Sequence, residues 1–185
     1  MFDLPGGPLD ASQWPVNFAS FDCVVFVVDA QTSFRDVSKR LGAAILRAFG
    51  AKPDIWFDVF LHKVDKMSEE YKLDLHQAVR DAVDEDLFEA GLSETDRLAI
   101  HLTTVYDGSI YEALSRVVQK LVPEQAALEQ LLDLACDQSG MDKAFLFDTN
   151  SKLYLATDSR ALDEETYTLC SDFLDLVGDF GSLYE

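Results

Sequence analysis

The hydrophobic and polar positions change period several times along the chain. Asp22–Asp29 (DCVVFVVD) is a short, unbroken apolar run with several β-branched residues. Such a run suits a strand covered on both faces, as inside a parallel sheet. The next apolar positions, Val37, Leu41, Ala44, Ile45 and Ala48, fall at helical spacing. They predict a helix capped by Thr32 or Ser33 that ends near Gly50, with Pro53 beyond it. Then come a strand over Ile55–Leu61 and a long polar amphipathic helix from about Ser68 to Ala90, stopped at Gly91. A strand over Leu98–Thr103 and a helix over Ser109–Leu121 complete the series.

The order β-α-β-α-β-α is that of parallel strands joined by right-handed crossovers. After Pro123 the pattern changes character. Glu124–Asp137 reads as an amphipathic helix ending at Gly140, with Leu128, Leu131, Leu132 and Ala135 inward. Lys143–Phe147 and Lys152–Thr157 read as two strands, and Asp148-Thr149-Asn150-Ser151 between them is a hairpin signal. Glu164–Asp179 is a final helix, with Leu169, Phe173, Leu176 and Val177 expected inward. The expected organisation is an α/β unit over residues 1–123 and an α+β unit over 124–185.

Composition narrows the function classes. With 48% hydrophobic and 26% charged residues in 185, the chain has the make-up of a soluble globular protein. Its net charge is −19, divided as −8 over residues 1–123 and −11 over 124–185. That acidity excludes a sequence-independent grip on nucleic acid, which needs cations to neutralise phosphates. A basic partner stays open. No apolar run approaches the roughly 18 residues that a membrane-spanning helix needs, so direct membrane insertion is not expected and the cytoplasm is. Cys23, Cys136 and Cys170 form no C-x-x-C motif, and His62, His76 and His101 lack metal-ligand spacing. Buried, reduced thiols are the expectation.

Candidate chemistry sits after the strands, where open parallel sheets bind their ligands. Asp29-Ala30-Gln31, His62-Lys63-Val64-Asp65 and Thr104-Val105-Tyr106-Asp107 each follow a strand directly. A Lys-x-Asp at a strand end can read guanine. The base offers two adjacent donors, N1–H and the exocyclic amine, and one carboxylate accepts both. Adenine has an acceptor at N1, so the same carboxylate rejects it. Asp65 suits that role. The Lys63 stem would cover a base face with its ammonium reaching back to a phosphate loop, and His62 would tie neighbouring loops. Asp3-Leu4-Pro5-Gly6 fits D-x-x-G, in which Asp meets Mg²⁺ through water and the Gly N–H meets the γ-phosphate. Backbone N–H groups at Thr104 and Val105 could meet guanine O6. Each motif alone also reads as an ordinary turn or loop.

Together, FVVDAQ, VFLHKVDKMSEEYK, HLTTVYDGSIYEALSRVVQKLVP and SGMDKAFLFDTNSKLYLATDS resemble the Rag-type small GTPases of the C/D class. The resemblance runs from Asp3 to the end, and HKVD in place of NKxD is that family's own variant. It implies the C-terminal half of a Ras-like P-loop GTPase sheet followed by a partial α+β roadblock-like dimerisation domain. By motif, Asp3 and Gly6 match the third G motif, with Asp3 meeting the metal through water. His62, Lys63 and Asp65 match the fourth, and Thr104 and Val105 the fifth. The resemblance further implies GTP/GDP as ligand, Mg²⁺ through the nucleotide, slow hydrolysis and an obligate A/B-class partner. It also implies a scaffold at the lysosomal or vacuolar surface and relay of amino-acid availability to the target-of-rapamycin kinase complex.

The chain departs from that pattern in places. No G-x-x-x-x-G-K-[ST] occurs, and no Gly-Lys dipeptide exists in the chain. The Walker-A nest and the first switch are therefore not encoded in these residues. Position 7, where the family tends to have Gln, is Gly7. The expectation is a chain cut at both ends, poorly folded and weak for GTP by itself, with Cys23–Val28 left as a sheet edge. The alternative reading is a non-catalytic interaction module with a vestigial nucleotide site.

Overall fold

Cys23–Asp29 (β1), Trp56–His62 (β2) and Leu98–Thr103 (β3) form a parallel sheet in the order β1-β2-β3. The structure is a computed structural model, and it describes residues 16–91, 96–161 and 164–183. Among the described residues, β1 pairs with β2 alone and stands at an edge, with Val25 and Val27 exposed. These residues fall into two compact units that divide between Thr103 and Thr104.

In the first unit, Phe34–Ala51 (α1) and Glu69–Glu89 (α2) pack on the sheet. Leu41, Ala44, Ile45 and Ala48, four of the five apolar positions that predicted α1, are fully buried. They meet Phe57, Val59 and Leu61 of β2 and Val79, Val83 and Leu87 of α2 in one core. Ser68 caps α2, its hydroxyl accepting from the Tyr71 N–H at 3.3 Å. The cap expected of Thr32 is spent elsewhere: its hydroxyl donates to the Asp29 carbonyl at 2.7 Å. The second residue face of β2 hides a polar group that the apolar pattern did not announce. Asp58 is fully buried, yet satisfied, with His101 Nε2 at 2.7 Å and the Cys23 thiol at 3.7 Å.

In the second unit, Ser109–Lys120 (α3), Gln125–Ser139 (α4) and Glu164–Leu183 (α5) accompany an antiparallel hairpin of Phe145–Phe147 (β4) and Tyr154–Thr157 (β5). Gly140 ends α4 in the left-handed region, φ 73°. Ser115 of α3 accepts the Tyr154 N–H at 3.1 Å, joining the helix to β5. Helix α3 therefore groups with the hairpin, whereas the change of pattern pointed to a boundary at Pro123.

The inward faces of α4 and α5 correct the sequence reading. Leu169, Phe173, Leu176 and Val177 are exposed, and so is Leu131. Helix α5 instead buries Tyr167 and half-buries Cys170, Ser171 and Leu174. It carries apolar residues on two faces, so helical period alone does not choose between them. The aromatic contacts of Tyr167 with Phe147 and Tyr154, at 6.0 and 5.8 Å between ring centroids, make the choice. In α4, Leu128 and Leu132 are half-buried and Cys136 is buried, while Ala135 is exposed.

Candidate functional site

Parallel register brings the strand ends together. Asp29 lies opposite His62, and His62 opposite Thr103, so the carboxyl ends of β1, β2 and β3 form one row. Polar residues at those positions have neighbours rather than empty solvent. His62 Nδ1 and Thr103 Oγ1 are hydrogen-bonded at 3.0 Å. This links two strand ends, where a tie between loops was expected of His62, through a Thr103 that the sequence pattern did not single out. Strand register was the signal that could have found it.

Beyond β2 the chain turns sharply. Lys63 has φ 68° and ψ 41°, a left-handed backbone for a long L side chain. A single 3-10 turn, Val64–Lys66, follows. Buried Val64 anchors it, and Asp65 is exposed on its outer side. The motif thus alternates an inward anchor with an outward carboxylate. The Lys63 ammonium, expected to reach toward a phosphate loop, lies 2.6 Å from Asp29 Oδ2.

That contact changes both groups. The Lys63 hydrogen bond, helped by the Gln31 N–H, holds the Asp29 carboxyl below the usual carboxylate range. Reciprocally, the Asp29 hydrogen bond raises the Lys63 ammonium above its ordinary value. Two further bonds join the turns: Ala30 N–H donates to the His62 carbonyl at 2.8 Å, and Gln31 Nε2 donates to the Lys63 carbonyl at 3.3 Å.

Thr104 and Val105 belong to the second unit. Thr104 is buried, and its N–H donates to the Ser109 hydroxyl at 3.0 Å. Asp107 Oδ1 accepts the Ser109 N–H at 2.9 Å, closing the start of α3. Val105 is exposed. Asp3, Gly6 and Gly7 lie outside the described residues. Among the described residues, no cluster of His, Cys, Asp and Glu is arranged to hold a metal ion. No helix there is long and apolar enough to cross a membrane.

A family model described as the Gtr1/RagA G protein conserved region matches residues 9–174. The chain is similar to GTP-binding protein gtr2 of Schizosaccharomyces pombe, 42% identical over 187 residues, covering 100% of this chain and 59% of that protein. It is 41% identical over 167 residues to Ras-related GTP-binding protein C of Homo sapiens, covering 90% of this chain and 42% of that protein. With GTP-binding protein GTR2 of Saccharomyces cerevisiae the identity is 40% over 168 residues, covering 91% and 49%. The chain therefore spans between 42% and 59% of the length of these relatives.

Proposed function

Since the chain belongs to the Gtr1/RagA G-protein family and is a Rag C/D-type GTPase chain, we propose that its His62–Asp65 turn reads the guanine of GTP or GDP. The observation that carries this reading is the left-handed Lys63 step, which anchors Val64 and leaves the Asp65 carboxylate outward. An exposed carboxylate on a fixed turn suits the two parallel donors of guanine. Lys63 would cover one face of the base, and His62, tied to Thr103, would keep two strand ends in register. The Val105 N–H is proposed to meet O6, whereas the Thr104 N–H is already spent on the Ser109 hydroxyl. Asp3 and Gly6 would serve the phosphate side, where Asp3 would hold Mg²⁺ through water and the ion would offset phosphate charge, as the family pattern implies. Hydrolysis would be chemistry of that side.

The wider role proposed is a nucleotide-dependent switch subunit. It would pair with an A/B-class Rag GTPase, dock on a scaffold at the lysosomal or vacuolar surface and relay amino-acid availability to the target-of-rapamycin kinase complex. The residues from about 124 onward are proposed as a roadblock-like dimerisation unit.

The test is nucleotide choice. In the full-length gene product, Asp65→Asn is expected to exchange guanine for xanthine preference, because the amide offers a donor to xanthine's additional oxygen. Retained guanine preference would overturn the role given to Asp65. A second reading, an interaction module with a vestigial nucleotide site, draws on the exposed Leu169, Phe173, Leu176, Val177 and Phe180 of α5. A stable complex with an A/B-class partner that co-purifies no guanine nucleotide would favour it.

A further inference from the structure

The structure assigns a positioning role in base reading to Asp29, a residue on the neighbouring strand that does not itself face the base; the assignment rests on the reading of Asp65 above. The aim of the turn depends on Lys63. Its left-handed backbone, φ 68°, is one that a non-glycine residue keeps only where surrounding contacts hold it. Those contacts come from the turn after β1. Asp29 Oδ2 takes the Lys63 ammonium at 2.6 Å, Gln31 Nε2 donates to the Lys63 carbonyl at 3.3 Å, and Ala30 N–H donates to the His62 carbonyl at 2.8 Å. The clamp thus grips the side chain and the backbone of one residue together with the backbone before it.

Asp29 is itself held still. Its Oδ1 accepts the Gln31 N–H at 2.9 Å, and its carbonyl accepts the Thr32 N–H at 3.0 Å and the Thr32 hydroxyl at 2.7 Å. One carboxylate oxygen is fixed by its own turn, leaving the other for Lys63. A rigid acceptor on β1 therefore sets the direction in which the chain leaves β2. Two residues later that direction decides where the Asp65 carboxylate points. Bidentate reading of guanine tolerates little misplacement, because both hydrogen bonds must form at once. Were the pair only a surface ion pair, removing it would leave base choice untouched.

Hypoxanthine gives a direct readout. It keeps N1–H but lacks the exocyclic amine, so the ratio of GDP to IDP affinity measures the second hydrogen bond to Asp65. In the full-length gene product that ratio is expected to be about tenfold or more, the worth of a hydrogen bond to a charged acceptor. Asp29→Ala is expected to lower it to about threefold by loosening the carboxylate's aim, and Asp29→Asn, whose single amide oxygen cannot accept from both the Gln31 N–H and Lys63, to recover only part of it. Adding Asp29→Ala to Lys63→Ala should change the ratio no further. An Asp29→Ala protein that keeps the wild-type ratio, or that loses GDP and IDP equally, overturns the positioning role. Asp65→Asn measured alongside with XDP separates the two claims. If xanthine preference fails to appear, the base-reading assignment falls; if it appears while Asp29→Ala keeps the wild-type ratio, only the role of Asp29 falls.

Discussion

Each compact unit holds a lysine–aspartate pair, and the two pairs differ in opposite senses. Lys63 and Asp29, in the first unit, approach to 2.6 Å with side chains 54% and 33% exposed. Lys143 and Asp158, in the second, stand 3.3 Å apart with 10% and 0% exposed. The shorter pair is wet, so water and salt screen it and its contribution to stability is small. The longer pair is dry, and Asp158 has been taken out of water at a cost that must be recovered locally. Burial pushes its carboxyl up. The Ala144 and Arg160 N–H groups, with the Lys143 ammonium, outweigh that and leave it below the usual range. The contrast shows why distance is a poor guide to the worth of an ion pair. One pair holds a hairpin together, and the other aims a turn.

The largest effect should come from breaking the dry pair. Asp158→Ala strips Lys143 and two backbone N–H groups of their acceptor, and a loss of about 3 kcal/mol is expected from a buried pair broken on one side. Denaturant unfolding measures it, and a near-wild-type midpoint would show that the hairpin does not depend on the pair.

Titration probes the same unit from both ends of the pH scale. Burial raises Tyr154 and Tyr167 to about 12. The folded state therefore binds more protons than the unfolded one between the ordinary tyrosine value and about 12. Stability contributed by these phenols is present at lower pH and is lost as pH rises through that window. Absorbance near the tyrosinate band should show two of the six tyrosines ionising late, together with unfolding. At the acid end the sign reverses. Asp158 has a lowered value, so its contribution is present above the ordinary carboxylate range and disappears as pH falls below it. Asp158→Asn should flatten that acid limb.

A smaller effect separates two left-handed residues. Gly140 sits at φ 73°, Lys63 at φ 68°. Gly140→Ala is expected to cost about 1 kcal/mol, because a side chain there meets its own carbonyl. Lys63→Gly should do the reverse, raising the thermal midpoint while weakening nucleotide binding. A lowered midpoint would mean that the lysine side chain matters more to the fold than its strained backbone does. The smallest effect belongs to the wet pair: Asp29→Ala should leave the melting temperature near wild type, however much it changes base choice.

Much of the first unit was legible in the chain, because strands of a parallel sheet are apolar throughout. Strand β1, however, is not covered on both faces as expected and leaves Val25 and Val27 exposed. β3 falls at Leu98–Thr103 as expected, and β1 and β2 lie within a residue of expectation at each end. Helices α1 and α2 likewise match their apolar spacing. The polar turn after each strand was also visible, Asp65 within one of them. The inner faces of α4 and α5 were not legible. Leu169 and Phe173 satisfy a helical stripe as well as Tyr167 and Leu174 do, and only the aromatic cluster of the hairpin selects between them.

The sequence by itself determined the strand and helix order and the family, and it supplied the residues proposed to read a base. Those follow from period, from turn chemistry and from motif, all of which act over a few neighbouring residues. Tertiary structure alone decided the partnerships: Lys63 with Asp29, His62 with Thr103, Asp58 with His101, Lys143 with Asp158. The two members of each pair lie between 15 and 43 residues apart in the chain. No local pattern records such a distance, because it is set by strand register and hairpin pairing after the chain has folded.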